Sequence, residues 1–275
     1  MSEMTRCRDR GGHVSDPTLP FSIGALIEFA LLSRVQAKAN TMVLAQPPNQ
    51  HVMKAFNLSE KGRSCDCYGG ARGIGLEVSK ALAEAGANVA LIYHTSNTVD
   101  TISAEIASTN NVRAAAYKAN VAIQSEIEAV VQQIKKDFGK LDIMVVNSGI
   151  ASNTAAKTAP PINGVAGRIF KAQGRGNVIF MASFSATLVN LTQKQAAYNA
   201  SKAGVVQLAK CLSIEWVDYC RVNCISPGYI ATEILNTFPK EWRDKWFDLI
   251  LAKRMAESYE FKGPTCSSPR MHLVT

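Results

Sequence analysis

From residue 69 onward the apolar residues follow two alternating spacings, every third or fourth position over ten residues or more, and short unbroken runs. The first spacing marks a helix with one buried face, and the second a strand covered on both faces. Ile74, Val78, Ala81 and Leu82 predict a helix over 75–85, and Ile127, Val130, Val131 and Ile134 one over 125–138, closed by Gly86 and Gly139. A third helix is expected over 99–108 and a long one over 196–212, where Ala197, Ala200, Val205, Val206, Leu208 and Leu212 recur without a proline. Strands are expected over 88–93, 112–117, 141–146, 177–182 and 221–225. Helices alternating with short apolar strands predict parallel βαβ units, hence an α/β fold with a doubly wound sheet that binds ligands beyond the carboxyl ends of its strands. Residues 1–55 lack this alternation and read as a loosely ordered N-terminal extension, 56–263 as the single nucleotide-binding domain, and 264–275 as an atypical tail.

Composition narrows the function classes. The 275 residues carry a formal net charge of +8, yet the basic residues are scattered rather than gathered in a stripe interleaved with aromatics. A phosphorylated small molecule is therefore the expected partner, not nucleic acid. Seven cysteines in no framework spacing fit a reducing compartment, and Cys65 and Cys67 have no second pair at zinc spacing, so no metal site is expected. The most apolar N-terminal run, 21–32, contains Glu28 and is too short to span a membrane, and the expected location is the cytoplasm.

Three stretches carry chemistry. Gly69, Gly70, Gly73 and Gly75 surround Arg72 and Ile74 at the head of the first helix, where a tight turn and unpaired N–H groups favour a pyrophosphate. At the end of the second strand, where an NAD-binding unit presents a carboxylate to the ribose, the chain reads Tyr93-His94-Thr95-Ser96; with Arg72 in the glycine loop this favours NADP(H). In the long helix Tyr198 and Lys202 are four residues apart and share a face, so the ammonium can favour the phenolate of a tyrosine acting as general acid and base.

The glycine loop, Asn147-Ser148-Gly149, Ser183, the Tyr198/Lys202 pair and Ser226-Pro227-Gly228, in this order, resemble the short-chain dehydrogenase/reductase family over residues 69–263. Closer wording at 167–170, 176–180 and 226–232 is similar to the fungal sorbose reductase and NADP-dependent mannitol 2-dehydrogenase branch. The resemblance implies a Rossmann-type fold and an NADP(H)-dependent oxidoreductase that reduces a ketone or ketose carbonyl or oxidises the matching polyol. A carbonyl reductase in natural-product biosynthesis and a catalytically silent NADP-binding relative remain alternatives. It further implies that Tyr198 is the proton donor, that Lys202 tunes it and holds the nicotinamide ribose, and that Ser183, with Ser185 as a rival, hydrogen-bonds the reacting oxygen. Cofactor-binding roles are implied for Gly69, Arg72, Gly73, Ile74, Gly75, Asn120, Asn147, Ile230 and Thr232, and homo-oligomers for the relatives.

Three segments depart from the family. The strand before the glycine loop should be apolar throughout, but 61–68 places Asp66 at its centre and Tyr68 where relatives have a small residue. Between Asn147 and Ser183 only 163–172 remains for a helix, so the family's catalytic asparagine is missing or represented by Asn163, and a surface used for dimer packing is thinned. After Gly263 the final strand at the sheet edge is absent. Abrupt replacements of this kind are what a misread exon boundary or frameshift leaves.

Overall fold

The computed structural model describes residues 62–148 and 161–267, which fall within one compact unit. The expectations for 1–55, Gly149, the loop at 151–160 and the end of the tail lie outside the described residues. In chain order the elements are β1 (Ser64–Tyr68), α1 (Gly73–Glu84), β2 (Asn88–Tyr93), α2 (Val99–Asn110), β3 (Ala114–Lys118), α3 (Gln124–Phe138), β4 (Ile143–Val146), α4 (Pro161–Gln173), β5 (Asn177–Met181), α5 (Ala196–Glu215), β6 (Arg221–Ile225), β7 (Ile230–Ala231), α6 (Lys240–Leu249), β8 (Ala256–Glu257) and α7 (Lys262–Ser267). Strands β1 to β6 form one parallel sheet in the order β3-β2-β1-β4-β5-β6, and β7 pairs with β8. The chain reverses direction across the sheet between β1 and β4, and their carboxyl ends are where such a sheet opens a ligand crevice.

Each face of the sheet is covered by its own apolar layer. Val78, Leu82, Val99 and Ile106 of α1 and α2 pack with Val89, Leu91, Ile143 and Val145. Ile127, Val131, Val165, Phe170, Ala209 and Leu212 of α3, α4 and α5 pack with Ala90, Ile92, Met144 and Phe180 on the other side. Two glycines let the second layer close. A Cβ on Gly176 would meet the Phe170 ring at 2.1 Å, and one on Gly167 would meet Trp216 at 2.7 Å. Helix α4 spans 13 residues, somewhat more than the sequence pattern alone outlines, because Pro161 opens it.

The altered first strand forms and occupies the sheet centre, hydrogen-bonded to β2 on one side and β4 on the other. Cys65 and Cys67 face the α1 layer, which leaves Asp66, in register with Ala90 and Met144, to face the α3–α5 layer. Asp66 is 0% exposed and both its carboxylate oxygens lack a hydrogen-bond partner. Burial holds its carboxyl well above the usual range, so it sits in the core as the neutral acid. Asp142, the other buried aspartate, shows what compensation looks like. It accepts the Ser64 N–H at 3.0 Å and pairs with Lys140 at 3.2 Å and Arg175 at 3.3 Å.

Among the described residues no strand pairs with the outer edge of β6, where the sequence leaves the final strand out. The start of the tail instead makes α7, which buries Thr265 and Cys266 against the α1 layer and binds the Lys262 ammonium between Glu84 and Glu77 of α1.

Candidate active site and cofactor cradle

Strand β5 and helix α5 assemble the reactive side chains. Strand β5 is buried along its whole length and ends at Met181, after which the chain turns into a short 3₁₀ helix, Phe184–Ala186. Ser183 caps that turn, its Oγ accepting the Ser185 N–H at 3.2 Å, and the Phe184 N–H donates to the Pro227 carbonyl at 2.9 Å. The turn after β5 is thereby tied to the Ser226-Pro227-Gly228 loop. Ser183 and Ser185 are both buried, and of the two only Ser183 acts on the Tyr198 phenol, lowering its pKa. The two candidate serines thus divide into one at the tyrosine and one beneath it.

Tyr198 and Lys202 share the inward face of α5, the Lys202 Nζ lying 5.7 Å from the Tyr198 ring centroid. Burial raises the Tyr198 pKa above its ordinary value, and the Ser183 hydrogen bond pulls it part of the way back. Lys202 is 8% exposed, and its Nζ donates to the Met181 carbonyl at 2.9 Å. Burial lowers its pKa, and the nearby Cys224 opposes that. In this arrangement Ser183 lowers the pKa of the phenol, and the lysine lies over the phenol ring while fixed to the end of β5.

The glycine loop lies at the carboxyl end of β1. Gly69 and Gly73 have φ of +69° and +52°, in the left-handed region that glycine adopts without strain. A Cβ on Gly75 would meet the Gly69 carbonyl oxygen at 2.1 Å and the Asn147 Nδ2 at 2.6 Å, so Asn147 is packed against the loop as β4 ends. Helix α1 starts at Gly73 without a side-chain cap from Arg72 and with no acidic residue in its first turn. Its first N–H groups and the positive end of its dipole are open to an anion. Thr232 closes the other side, its Cγ2 lying 3.7 Å from where a Cβ of Gly73 would be, and Ile230 is buried in β7 just before it. Arg72 and Ile74 flank this turn, with Arg72 exposed, and His94 is exposed at the end of β2. This cradle fits the diphosphate of a dinucleotide.

Asn120, after β3, has its Oδ1 occupied by the Ala122 N–H at 3.0 Å, while its own N–H donates to Glu126. Asn163 falls in the first turn of α4, and its side chain lies outside the described residues. The sequence pattern left out the aromatic stack on the far side of Ser183. Phe184 contacts Tyr229 at 5.1 Å between ring centroids, and Tyr229 stacks on Trp246 at 4.7 Å. Trp246 in turn donates to Thr192. Its only sequence signal was the recurrence of aromatics through 238–247. A cleft of about 660 Å³ opens between α1, the Thr232 turn and α6, and none of Ser183, Tyr198 or Lys202 lines it. The cleft borders the glycine turn at Gly73 and Thr232, whereas the candidate residues Ser183, Tyr198 and Lys202 group at the end of β5.

The "short chain dehydrogenase" family model matches residues 67–163, and the "Enoyl-(Acyl carrier protein) reductase" model matches 162–266. The chain is 38% identical over 232 residues to the sorbose reductase of Candida albicans, covering 78% of this chain and 82% of that one. It is 31% identical to the NADP-dependent mannitol dehydrogenase of Hypocrea jecorina, covering 79% of this chain and 88% of that one. Among solved structures, the NADPH-dependent 3-quinuclidinone reductase of Rhodotorula rubra superposes with a TM-score of 0.72 at 31% identity, covering 82% of this chain and 89% of that one. The parallel sheet, the uncapped glycine turn and the Ser183–Tyr198–Lys202 grouping are thus found together with extensive similarity to oxidoreductases, and the chain belongs to the short-chain dehydrogenase/reductase family.

Proposed function

We propose that the protein is an NADP(H)-dependent reductase of a ketone or ketose carbonyl, which also oxidises the matching alcohol or polyol. The observation that carries this reading is the grouping of Ser183, whose hydroxyl lowers the Tyr198 pKa, with Lys202, whose Nζ lies 5.7 Å from the Tyr198 ring centroid and is fixed to the end of β5. Similarity to a sorbose reductase and to an NADP-dependent mannitol dehydrogenase supports the substrate class and the cofactor. The open N-terminus of α1 between Gly73 and Thr232 would hold the diphosphate, and Arg72 and His94, with no carboxylate at the end of β2, suit a 2′-phosphate. NADPH, when bound, supplies the hydride that the carbonyl carbon accepts.

The residues of the chain supply the rest. Ser183 donates to the carbonyl oxygen as negative charge develops there, and the Tyr198 phenol transfers its proton to that oxygen, leaving a phenolate. Burial keeps the Tyr198 phenol protonated but makes it a weaker acid, and Ser183 offsets part of that loss. Lys202 stabilises the resulting phenolate across the shared helix face, and it is the residue that would hold the nicotinamide ribose.

The test is purified protein with NADPH or NADH and a panel of ketoses and simple ketones, followed at the nicotinamide absorbance. Oxidation of NADPH in preference to NADH, with at least one ketose, is expected; turnover with none of the panel would refute the reading. The engagement of Lys202 by the Met181 carbonyl favours a second reading, a relative that binds NADP(H) without turnover, which predicts NADPH binding and a flat absorbance trace.

A further inference from the structure

The cleft beside the glycine turn has two walls. One is Gly73 and Leu76 of α1 with Thr232; the other is α6, which contributes Lys240 and Arg243. Three carboxylates also line it. Asp244 is held by the Lys240 Nζ at 2.7 Å, Glu77 lies 3.5 Å from Lys80 and 3.7 Å from Lys262, and Glu233 is exposed. Arg243 differs from Lys240. Its Nη1 makes a long contact of 3.4 Å with the Asn236 Oδ1, its Nε is buried with no hydrogen-bond partner, and among the described residues no carboxylate pairs with it. With no such carboxylate on it, the guanidinium keeps donors for an anion placed in the cleft. The opposite wall is an uncapped helix N-terminus, which leaves the same kind of vacancy for negative charge.

We propose that Arg243 is a cofactor-binding residue, its guanidinium reaching across the cleft from α6 to the diphosphate that the α1 N-terminus holds from the other side. This rests on the NADP(H) reading above. Because α6 also carries Trp246, which stacks on Tyr229 beside Ser183, an Arg243–diphosphate contact couples cofactor binding to the wall of the reacting center. The ligand class is the bridging diphosphate of a dinucleotide, with the two terminal nitrogens as donors.

The experiment measures dissociation constants by calorimetry for the full-length wild type, Arg243→Gln and Arg243→Lys. The ligands are NADPH and adenosine 2′-monophosphate, which keeps the adenine side and its 2′-phosphate but has neither phosphate of the bridge. Loss of a charge-assisted contact is expected to weaken NADPH about tenfold in Arg243→Gln. Arg243→Lys should recover part of that loss, and the 2′-monophosphate should change by no more than about twofold across the three proteins. NADPH affinity unchanged in Arg243→Gln, or equal weakening of both ligands, overturns the proposal. Wild type that binds NADPH while Arg243→Gln is unaffected sinks only this assignment, whereas wild type that binds no nicotinamide dinucleotide sinks the cofactor reading as well.

Discussion

Replacing Asp66 by valine should make the protein more stable, and by an amount that depends on pH. Asp66 occupies the central strand with 0% exposure and neither oxygen hydrogen-bonded. Even as the neutral acid, a buried polar group without a partner costs about 1–3 kcal/mol, and valine of similar volume removes that cost while suiting a strand covered on both faces. Ionisation adds a second contribution. The folded-state pKa is raised by burial, while in the unfolded chain an aspartate titrates near ~3.9. Below that value both states hold the proton and the added contribution is absent. As pH rises above it the unfolded chain releases a proton that the folded protein keeps, and wild type loses up to about 1.4 kcal/mol per pH unit until the buried group itself ionises. The groups coupled to Asp66 are Cys67, whose thiol is pushed up to about 12 mainly by burial, and Tyr117, whose phenol is raised mainly by burial and by its bond to Asp137. Neither group in its ordinary form releases a proton in the acidic range where the difference opens. Urea unfolding of wild type and Asp66→Val from pH 4 to pH 8, followed by tryptophan fluorescence, measures the difference. A gain for valine of about 1–3 kcal/mol at the acid end that widens toward neutrality is expected. A gap that does not change with pH, or a less stable valine variant, would refute the reasoning.

Three further outcomes are expected. Ser183→Ala removes the hydrogen bond that lowers the Tyr198 pKa, so the alkaline limb of the pH–rate profile should move to higher pH and kcat/KM should fall by about 10²-fold or more, with NADPH affinity retained. Gly75→Ala places a Cβ 2.1 Å from the Gly69 carbonyl oxygen, a backbone clash that no side-chain movement relieves. It should abolish NADPH binding in calorimetry and lower the melting temperature, whereas Gly204→Ala, with nothing within 4 Å, should do neither. Lys262→Ala removes a buried ammonium from Glu84, whose own side chain reaches solvent, and should cost about 1 kcal/mol in urea unfolding, with Lys262→Met recovering part through packing.

The parts of the molecule that were legible in the sequence are those in which local pattern and global fold agree. The helical spacing of Ile127, Val131 and Ile134 and the unbroken run at 88–93 place the same residues in the core that the structure buries. Strand β1 was harder to read because its local chemistry opposes its environment. Asp66 argues against a central strand, yet hydrogen bonds to both neighbours and the burial of Cys65 and Cys67 outweigh it. Helix α7 was illegible for another reason. Six residues containing Gly263 and Pro264 have little helical tendency, and α7 is held by the long-range contact of Lys262 with Glu84 and the burial of Cys266. At the active site, residue types and order point to Ser183, Tyr198 and Lys202. Whether the serine or the lysine acts on the phenol depends on a 3₁₀ turn and on the Met181 carbonyl, and spacing carries no information about either. Arg243 was equally hidden, since the wall it faces lies about 170 residues earlier in the chain, at Gly73.

The central claim is that Tyr198 is the proton donor of an NADP(H)-dependent reduction. Its most direct measurement pairs single-turnover NADPH oxidation with NADPH calorimetry in wild type and Tyr198→Phe, using whichever ketose the wild type reduces. Loss of the phenol proton should slow hydride transfer by at least about 10²-fold while the dissociation constant for NADPH stays within about twofold. Hydride transfer at the wild-type rate in Tyr198→Phe, with NADPH still bound, would contradict the assignment.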